Sequence, residues 1–281
     1  MPASGAVADR PVPDPDLPGR AAVLGRPVAH SLSPLLHRAA YAALGLTGWT
    51  YDRLDLGPED LPVLLAGLGP EWRGFSVTMP CKQAAVAVAD TVDPLPRLLG
   101  AANTLVHTGE GWRAENTDVH GVGMALQTGG VERVAHAAIV GAGGTAAAAA
   151  VALAELGAEH VDVLVRAPDR AADVVRVLGA LGVEAAVAPL AAGPVEAPVV
   201  VSTVPIGAHP DLARLEWRAG QTLLDVLYAP WPTPLAERAH AAGTAVISGI
   251  EVLFWQATVQ VELLTGQPAP IGAMRAALDA R

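Results

Sequence analysis

One lysine, Lys82, stands among 17 arginines in this chain of 281 residues. Wherever a generic surface cation was wanted the sequence uses arginine, so Lys82 marks a place where the cation has to give up its proton. An ammonium can do so when its pKa is lowered, and a guanidinium cannot. The plain alternative is an ordinary surface lysine. Other polar side chains are also sparse and also clustered. The two asparagines, Asn103 and Asn116, are each followed by threonine, and five of the six serines lie beyond residue 20. Ser31 and Ser33 precede a helical pattern that opens with Pro34. Ser33 reads as its N-cap and Pro34 as its first residue. Capping needs one serine, and two hydroxyls beside a helix N-terminus form a clamp for a carboxylate. In Gly74-Phe75-Ser76-Val77-Thr78-Met79-Pro80-Cys81-Lys82 a strand delivers Thr78 and then Lys82 to its C-terminal edge, where open α/β sheets bind ligands. Asn103-Thr104, the turn Gly109-Glu110-Gly111 and Glu115-Asn116-Thr117-Asp118 read as a hairpin that returns Asp118 towards the same edge. Asp118 also sits where a helix begins, so an N-cap reading stays open beside a chemical one.

A second constellation lies further along. Ala137-Ala138-Ile139-Val140 is a short buried-strand pattern, followed at once by Gly141-x-Gly143-x-x-Ala146 and an alanine-rich helix. Glycines at these positions allow a tight turn and close approach of a pyrophosphate, Ala146 lets helix and strand pack, and the helix N-terminus offers unpaired N–H groups to the phosphates. After the next strand, 160–165, an NAD-type fold places an acid for the ribose 2′-hydroxyl, and here stands Val165-Arg166-Ala167-Pro168-Asp169-Arg170. Arg166 and Arg170 suit a 2′-phosphate, hence NADP(H). Asp169 would reverse that reading if the strand ended three residues later.

These residues must be held by a folded scaffold. With 52% hydrophobic and 16% charged residues the chain can bury real cores, and its net charge of −10 argues against a nucleic-acid partner. The single Cys81 excludes an internal disulfide and suits a reducing compartment. It reads as a small filler. No secretory signal is visible, and the cytoplasm is the expected location. Residues 137–154 carry no charge and imitate a membrane span, but the glycines at 141, 143 and 144 break the stretch into a strand and a later helix. No histidine pair stands at metal-ligand spacing, so no metal is expected. His30 and His37 read as packing or helix-face residues.

Short apolar runs alternate with helical patterns from residue 21 onward, the signature of βα units and a parallel or mixed sheet. Strands are expected near 21–25, 49–55, 73–78, 102–107, 136–141, 160–165, 184–188, 198–202, 222–226 and 244–247. Helices are expected after Ser33 and Pro58, from Asp118 to about Gln127, and over 144–156, 169–181, 233–242, 249–265 and 270–279. The fold class is two-domain α/β, with a flexible tail over 1–20, a first α/β domain over 21–120 and a Rossmann-type dinucleotide-binding domain over 121–249. The periodicity alone does not say on which domain the last helices, 250–281, pack.

Seven ordered segments resemble the motifs of the shikimate dehydrogenases. They are Gly25 to Pro34, Val77 to Lys82, Ala101-Ala102-Asn103-Thr104, Asn116-Thr117-Asp118, Gly141-Ala142-Gly143-Gly144, Asp225-Val226-Leu227-Tyr228-Ala229-Pro230 and Gly249 to Gln256. The resemblance runs from about residue 21 to 280. It implies an N-terminal substrate domain, onto which the C-terminal helices return, and a central NADP-binding domain. It also implies roles: Ser31 and Ser33, helped by Tyr228, for a substrate carboxylate; Thr78, Asn103 and Gln256 for ring hydroxyls; Lys82 and Asp118 as the catalytic pair. Gly144 and Gly249 join Gly141, Gly143, Ala146, Arg166 and Arg170 on the cofactor side. The implied activity is reversible NADP-dependent reduction of 3-dehydroshikimate to shikimate, a step of aromatic amino-acid biosynthesis, by a monomer or homodimer. The alternatives are a quinate or mixed quinate/shikimate dehydrogenase, NAD use included, and a non-catalytic NADP-binding sensor. The chain departs from the family pattern at Ser76, Val165, Ala167, Ser202, Ala208 and Val252, none of them a catalytic position.

Overall fold

The structure is a computed structural model that describes residues 17–190, 193–205, 207, 212 and 214–281. The chain forms two compact units. One takes the described part of Met1–Arg97 with Ala101–Thr117 and Ala257–Arg281, and the other takes Leu98–Gly100 with Asp118–Gln256. The division therefore falls at residues 117/118 and again inside the long helix near the C-terminus.

The first unit contains β1 (Arg20–Gly25), α1 (Ser33–Ala43), β2 (Thr50–Asp55), α2 (Leu61–Ala66), β3 (Trp72–Val77), α3 (Lys82–Val88), β4 (Thr91–Val92), α4 (Pro94–Leu99), β5 (Thr104–His107) and β6 (Trp112–Glu115). Its six strands lie in the order β2-β1-β3-β5-β6-β4. β1 runs parallel to β2 and β3, whereas β5 runs antiparallel to both β3 and β6, so the sheet is mixed. Expected strands and helices recur within a few residues, but α3, β4 and α4 were not anticipated. Their stretch is short and broken by Pro94 and Pro96, too little for a period to show. β1 begins at Arg20, inside the range expected for the tail, and the Trp49 indole N–H donates to the Leu17 carbonyl at 3.1 Å. The rest of that expected tail, 1–16, lies outside the described residues.

Hydrophobic groups cover both faces of this sheet. Phe75, Leu105, Trp112 and Trp72 form one cluster, with Phe75 stacked on Trp72 at 5.0 Å between ring centres. Tyr41, Trp49, Tyr51 and Leu264 form the other. Each fully buried side chain of this size contributes about 1.5–3 kcal/mol.

The second unit contains α5 (Asp118–Thr128), β7 (His136–Val140), α6 (Gly144–Glu155), β8 (His160–Val165), α7 (Ala172–Ala180), β9 (Glu184–Pro189), β10 (Gly193–Pro194), β11 (Val199–Ser202), β12 (Leu215–Glu216), β13 (Thr222–Asp225), α8 (Pro234–Ala241) and β14 (Ala245–Ser248). The helix α9 (Gly249–Thr265) crosses the unit division, and α10 (Ile271–Asp279) follows it. Six strands lie in the order β14-β13-β11-β7-β8-β9, all parallel to their neighbours. Read from β9, this is the order of a dinucleotide-binding sheet, which reverses between β7 and β11. The uncharged stretch 137–154 divides into β7 and α6, and among the described residues no helix is long and apolar enough to cross a membrane. Alanine, the best helix former, fills α6, and its small side chains let the helix lie close on the sheet: Ala146 to Ala150 are almost wholly buried.

Candidate active site

In the first unit, topology gathers four connections at one sheet edge. β1 and β3 are parallel, so their C-terminal ends share that edge. β5 returns antiparallel and starts there, and β6 turns back to end there. The loops carrying Ser31 and Ser33, Thr78 and Lys82, Asn103, and Asn116-Thr117 thus leave from the same side. Backbone bonds tie them: the Val77 N–H donates to the Asn103 carbonyl at 2.7 Å, and the Ala102 N–H to the Lys82 carbonyl at 2.9 Å. Lys82 is the first residue of α3 and half-buried.

The two serines exchange the capping roles expected of them. α1 starts at Ser33, its N-cap is Leu32 without a side-chain bond, and the Ser31 hydroxyl accepts the Ser33 N–H at 3.3 Å. The residue thought to be left over does the local work, because its hydroxyl reaches back over the first turn. Arg53 holds the Ser31 carbonyl with Nη2 at 2.6 Å and Nε at 3.2 Å, bringing a positive charge behind the turn.

Behind these loops runs a buried polar network that the sequence did not disclose. The Gln260 amide donates to the Asn103 carbonyl at 3.1 Å and to Thr104 Oγ1 at 2.9 Å. A carbonyl can only accept, so the amide orientation is fixed and Oε1 faces the other way. That oxygen accepts from the Ser76 hydroxyl at 2.7 Å and from His37 Nε2 at 3.4 Å, while the Tyr51 hydroxyl donates to Ser76. Thr104 Oγ1 donates to Asn103 Oδ1, which also accepts the Thr117 N–H at 2.8 Å, and Asn103 Nδ2 donates to Thr117 Oγ1 at 2.9 Å. Asn103 is therefore held from both sides. Asn116 Nδ2 donates to the Ala101 carbonyl at 2.9 Å, which fastens the end of β6 to the start of β5. Burial drives the His37 imidazole down to about 3, against the smaller upward pull of its Gln260 bond, and the neutral ring stacks on Tyr51 at 4.1 Å. Burial likewise pushes the Tyr51 phenol well up. His37 is thus a packing residue, as its position suggested. Cys81 is buried with its thiol pushed up mainly by that burial.

In the second unit the glycine turn follows β7 directly. Gly141 has φ +111°, and a Cβ there would also stand 2.4 Å from Thr203 Oγ1, so only glycine fits. Gly143 caps α6 without a side-chain bond, and nothing stands within 4 Å of where its Cβ would be. Open space over the first turn of a helix whose N–H groups lack a side-chain cap is what a pyrophosphate needs. β8 ends at Val165, so Arg166 occupies the diagnostic position, and Asp169 lies in the following short helical turn, Pro168–Ala171. Arg166 and Arg170 are exposed. The residues present therefore fit a dinucleotide carrying a 2′-phosphate.

Asp118 is buried and is itself the first residue of α5, one place inside the N-cap position. Gln256 is buried on α9 against α5, where a Cβ on Gly121 would lie 2.9 Å from its own. Its Nε2 donates to the Leu253 carbonyl at 2.8 Å. Tyr228 is half-buried in the loop after β13. Asp225 anchors that loop, accepting Thr233 Oγ1 at 2.6 Å and the Leu227 N–H at 3.3 Å, and burial raises its carboxyl. At the loop's other side Gly249 is obligatory, since any Cβ would fall 2.0 Å from the Val226 carbonyl oxygen. Gly249 thus has a packing duty. Ala208 lies outside the described residues.

Tyr51, Arg53, Ser76 and Gln260 are site-supporting residues that sequence reasoning passed over, apart from noting Ser76 as a departure. The available signal was Gln260, one helical turn after Gln256 on an apolar helix.

Comparison with known proteins agrees with this geometry. Residues 23–105 match the family described as the shikimate dehydrogenase substrate binding domain, and residues 249–278 match the shikimate 5′-dehydrogenase C-terminal domain. A shikimate dehydrogenase (NADP(+)) from Anaeromyxobacter sp. (strain Fw109-5) is 41% identical over 92% of this chain and 95% of its own. The crystal structure of Mycobacterium tuberculosis shikimate dehydrogenase superposes with a TM-score of 0.84 at 48% identity, covering 94% of this chain and 100% of that one. A Thermus thermophilus shikimate 5-dehydrogenase in complex with NADP(H) and shikimate gives 0.81 at 34% identity, over 93% of this chain and 99% of that one. The chain belongs to the shikimate dehydrogenase family.

Proposed function

We propose that the protein catalyses the reversible NADP-dependent reduction of 3-dehydroshikimate to shikimate. When bound, NADPH supplies the hydride to the ring carbon. The Lys82 ammonium gives its proton to the ketone oxygen and stabilises negative charge as it develops there, and in the reverse direction the neutral amine takes the alcohol proton. Asp118 serves as the carboxylate that keeps the lysine protonated and aimed. The hydroxyls of Ser31 and Ser33, at the N-terminus of α1, bind the substrate carboxylate with Tyr228. Thr78, Asn103 and Gln256 take the ring hydroxyls. Gly141, Gly143, Gly144 and Ala146 bring the backbone close to the pyrophosphate, and Arg166 with Arg170 neutralises the 2′-phosphate.

The observation that carries this reading is the gathering of Ser31, Ser33, Thr78, Lys82 and Asn103 at one sheet edge of a chain from this family. The reading places the enzyme in the cytoplasm with small molecules as its partners, and both a monomer and a homodimer suit it. Purified protein should oxidise NADPH with 3-dehydroshikimate. Lys82→Ala should lower kcat by about 10²–10⁴-fold with NADPH affinity and thermal midpoint kept. A Lys82→Ala enzyme as fast as the wild type would return Lys82 to the surface-lysine alternative.

A further inference from the structure

Eight histidines at spacings that suggest no metal acquire a different meaning once strands β7, β8 and β9 are aligned. Register pairs His136 with His160 and His160 with Glu184, so the three form a row across neighbouring strands. Asp162 lies two residues beyond His160, on the same face of β8. Its carboxylate draws both rings together, with Oδ2 2.7 Å from His136 Nε2 and Oδ1 3.2 Å from His160 Nε2. One donor atom from each of the three residues lies within 4.8 Å of the other two. The three side chains are 28–36% exposed, half sunk and still open to solvent.

We propose that His136, His160 and Asp162 form a binding site for a divalent transition metal ion of the zinc type. Two imidazole nitrogens and one carboxylate oxygen are a borderline donor set that suits Zn²⁺, Co²⁺ or Ni²⁺ and suits Mg²⁺ or Ca²⁺ poorly. Tetrahedral zinc with bonds of about 2.0–2.2 Å needs donors roughly 3.3 Å apart. Side-chain rotation supplies that adjustment, because the backbones beneath are pinned in a parallel ladder. Glu184 provides an independent indication. It faces the other nitrogen of His160, with Oε2 3.5 Å from Nδ1. A carboxylate at Nδ1–H is the arrangement that fixes the tautomer of a ligating histidine and leaves Nε2 for the metal. Water completes the coordination from the open side.

The site lies at the N-terminal edge of the sheet, while the glycine turn leaves from the C-terminal edge. The five residues of β7 between them span about 16 Å. The ion therefore clamps two strands, β7 and β8, and takes no part in hydride transfer, so it raises the unfolding midpoint and leaves NADPH affinity unchanged.

Tag-free, chelator-stripped protein should be titrated with Co²⁺ by visible absorption and with Zn²⁺ by calorimetry. One equivalent should bind, with the d–d bands of low-coordinate cobalt. Glu184→Gln should weaken Zn²⁺ by about tenfold. His136→Gln and Asp162→Asn should weaken it further, with circular dichroism and NADPH binding retained. Absence of saturable binding at micromolar Zn²⁺ by the wild-type protein overturns the proposal, whatever the variants do. An affinity unchanged in both His136→Gln and Asp162→Asn also overturns it, since the ion would then sit elsewhere.

Discussion

The two units build their candidate recognition surfaces by opposite means. In the first, the sheet edge is furnished with side chains whose orientations are set by other side chains: Asn103 is held by Thr104, Thr117 and Gln260, and Gln260 in turn by Ser76 and His37. In the second, the surface proposed for the nucleotide is largely backbone, made by a positive-φ glycine, an open Gly143 and the end of an alanine helix, with charge added by exposed arginines. A small polyhydroxylated ring has to be distinguished by the placement of its hydroxyls, which calls for side-chain donors and acceptors held rigidly. A pyrophosphate is recognised by charge and by bare N–H groups, and these need only a turn and a helix end.

That contrast can be broken from either side. The largest effect should come from Gln260→Ala, which strands several buried polar groups at once. At about 1–3 kcal/mol for each unsatisfied group, the unfolding free energy should fall by roughly 2–5 kcal/mol. The KM for shikimate should rise while the Kd for NADPH stays put. An equal loss in both would mean that the network supports the molecule generally and not Asn103 in particular. Urea unfolding and initial rates on one preparation give both numbers.

Arg166→Ala should remove a charge-assisted contact of about 1.5–3 kcal/mol, raising the KM for NADPH by roughly 10–100-fold and that for NADH little. Equal effects on the two cofactors would defeat the 2′-phosphate role. The smallest effect concerns pH. His37 is buried neutral with its imidazole lowered to about 3, so the unfolded chain binds the proton first as pH falls. The stability held above the ordinary histidine pKa is lost progressively below it, by up to about 1.4 kcal/mol per pH unit. Denaturant midpoints between pH 7 and 5 should show that slope, and His37→Phe should flatten it.

How much of this was legible in the sequence follows the same division. The nucleotide half was readable because its signals are local: strand, glycine turn, alanine helix and Arg166 fall within 31 consecutive residues. The structure left the strand end at Val165, and so kept Asp169 out of the diagnostic position. Lys82 and the paired serines were singled out by their rarity. The reading stopped at the shell behind them. Gln260 reaches Asn103 across 157 positions, and no window of sequence reveals such a pair. Ser33 was misassigned as a cap because either serine could fill that place by spacing, and only the path of the turn gave the bond to Ser31. The His136, His160 and Asp162 cluster stayed hidden for the same reason, since register across two strands creates it.

One set of initial rates tests the central claim most directly: shikimate and quinate, each with NADP⁺ and with NAD⁺, on the same enzyme. The pair shikimate with NADP⁺ should give the highest kcat/KM, by at least about tenfold over either single exchange, from one lost charged contact or one misfitted hydroxyl. A preference for quinate or NAD⁺, or tight NADPH binding with no turnover of either acid, would contradict it.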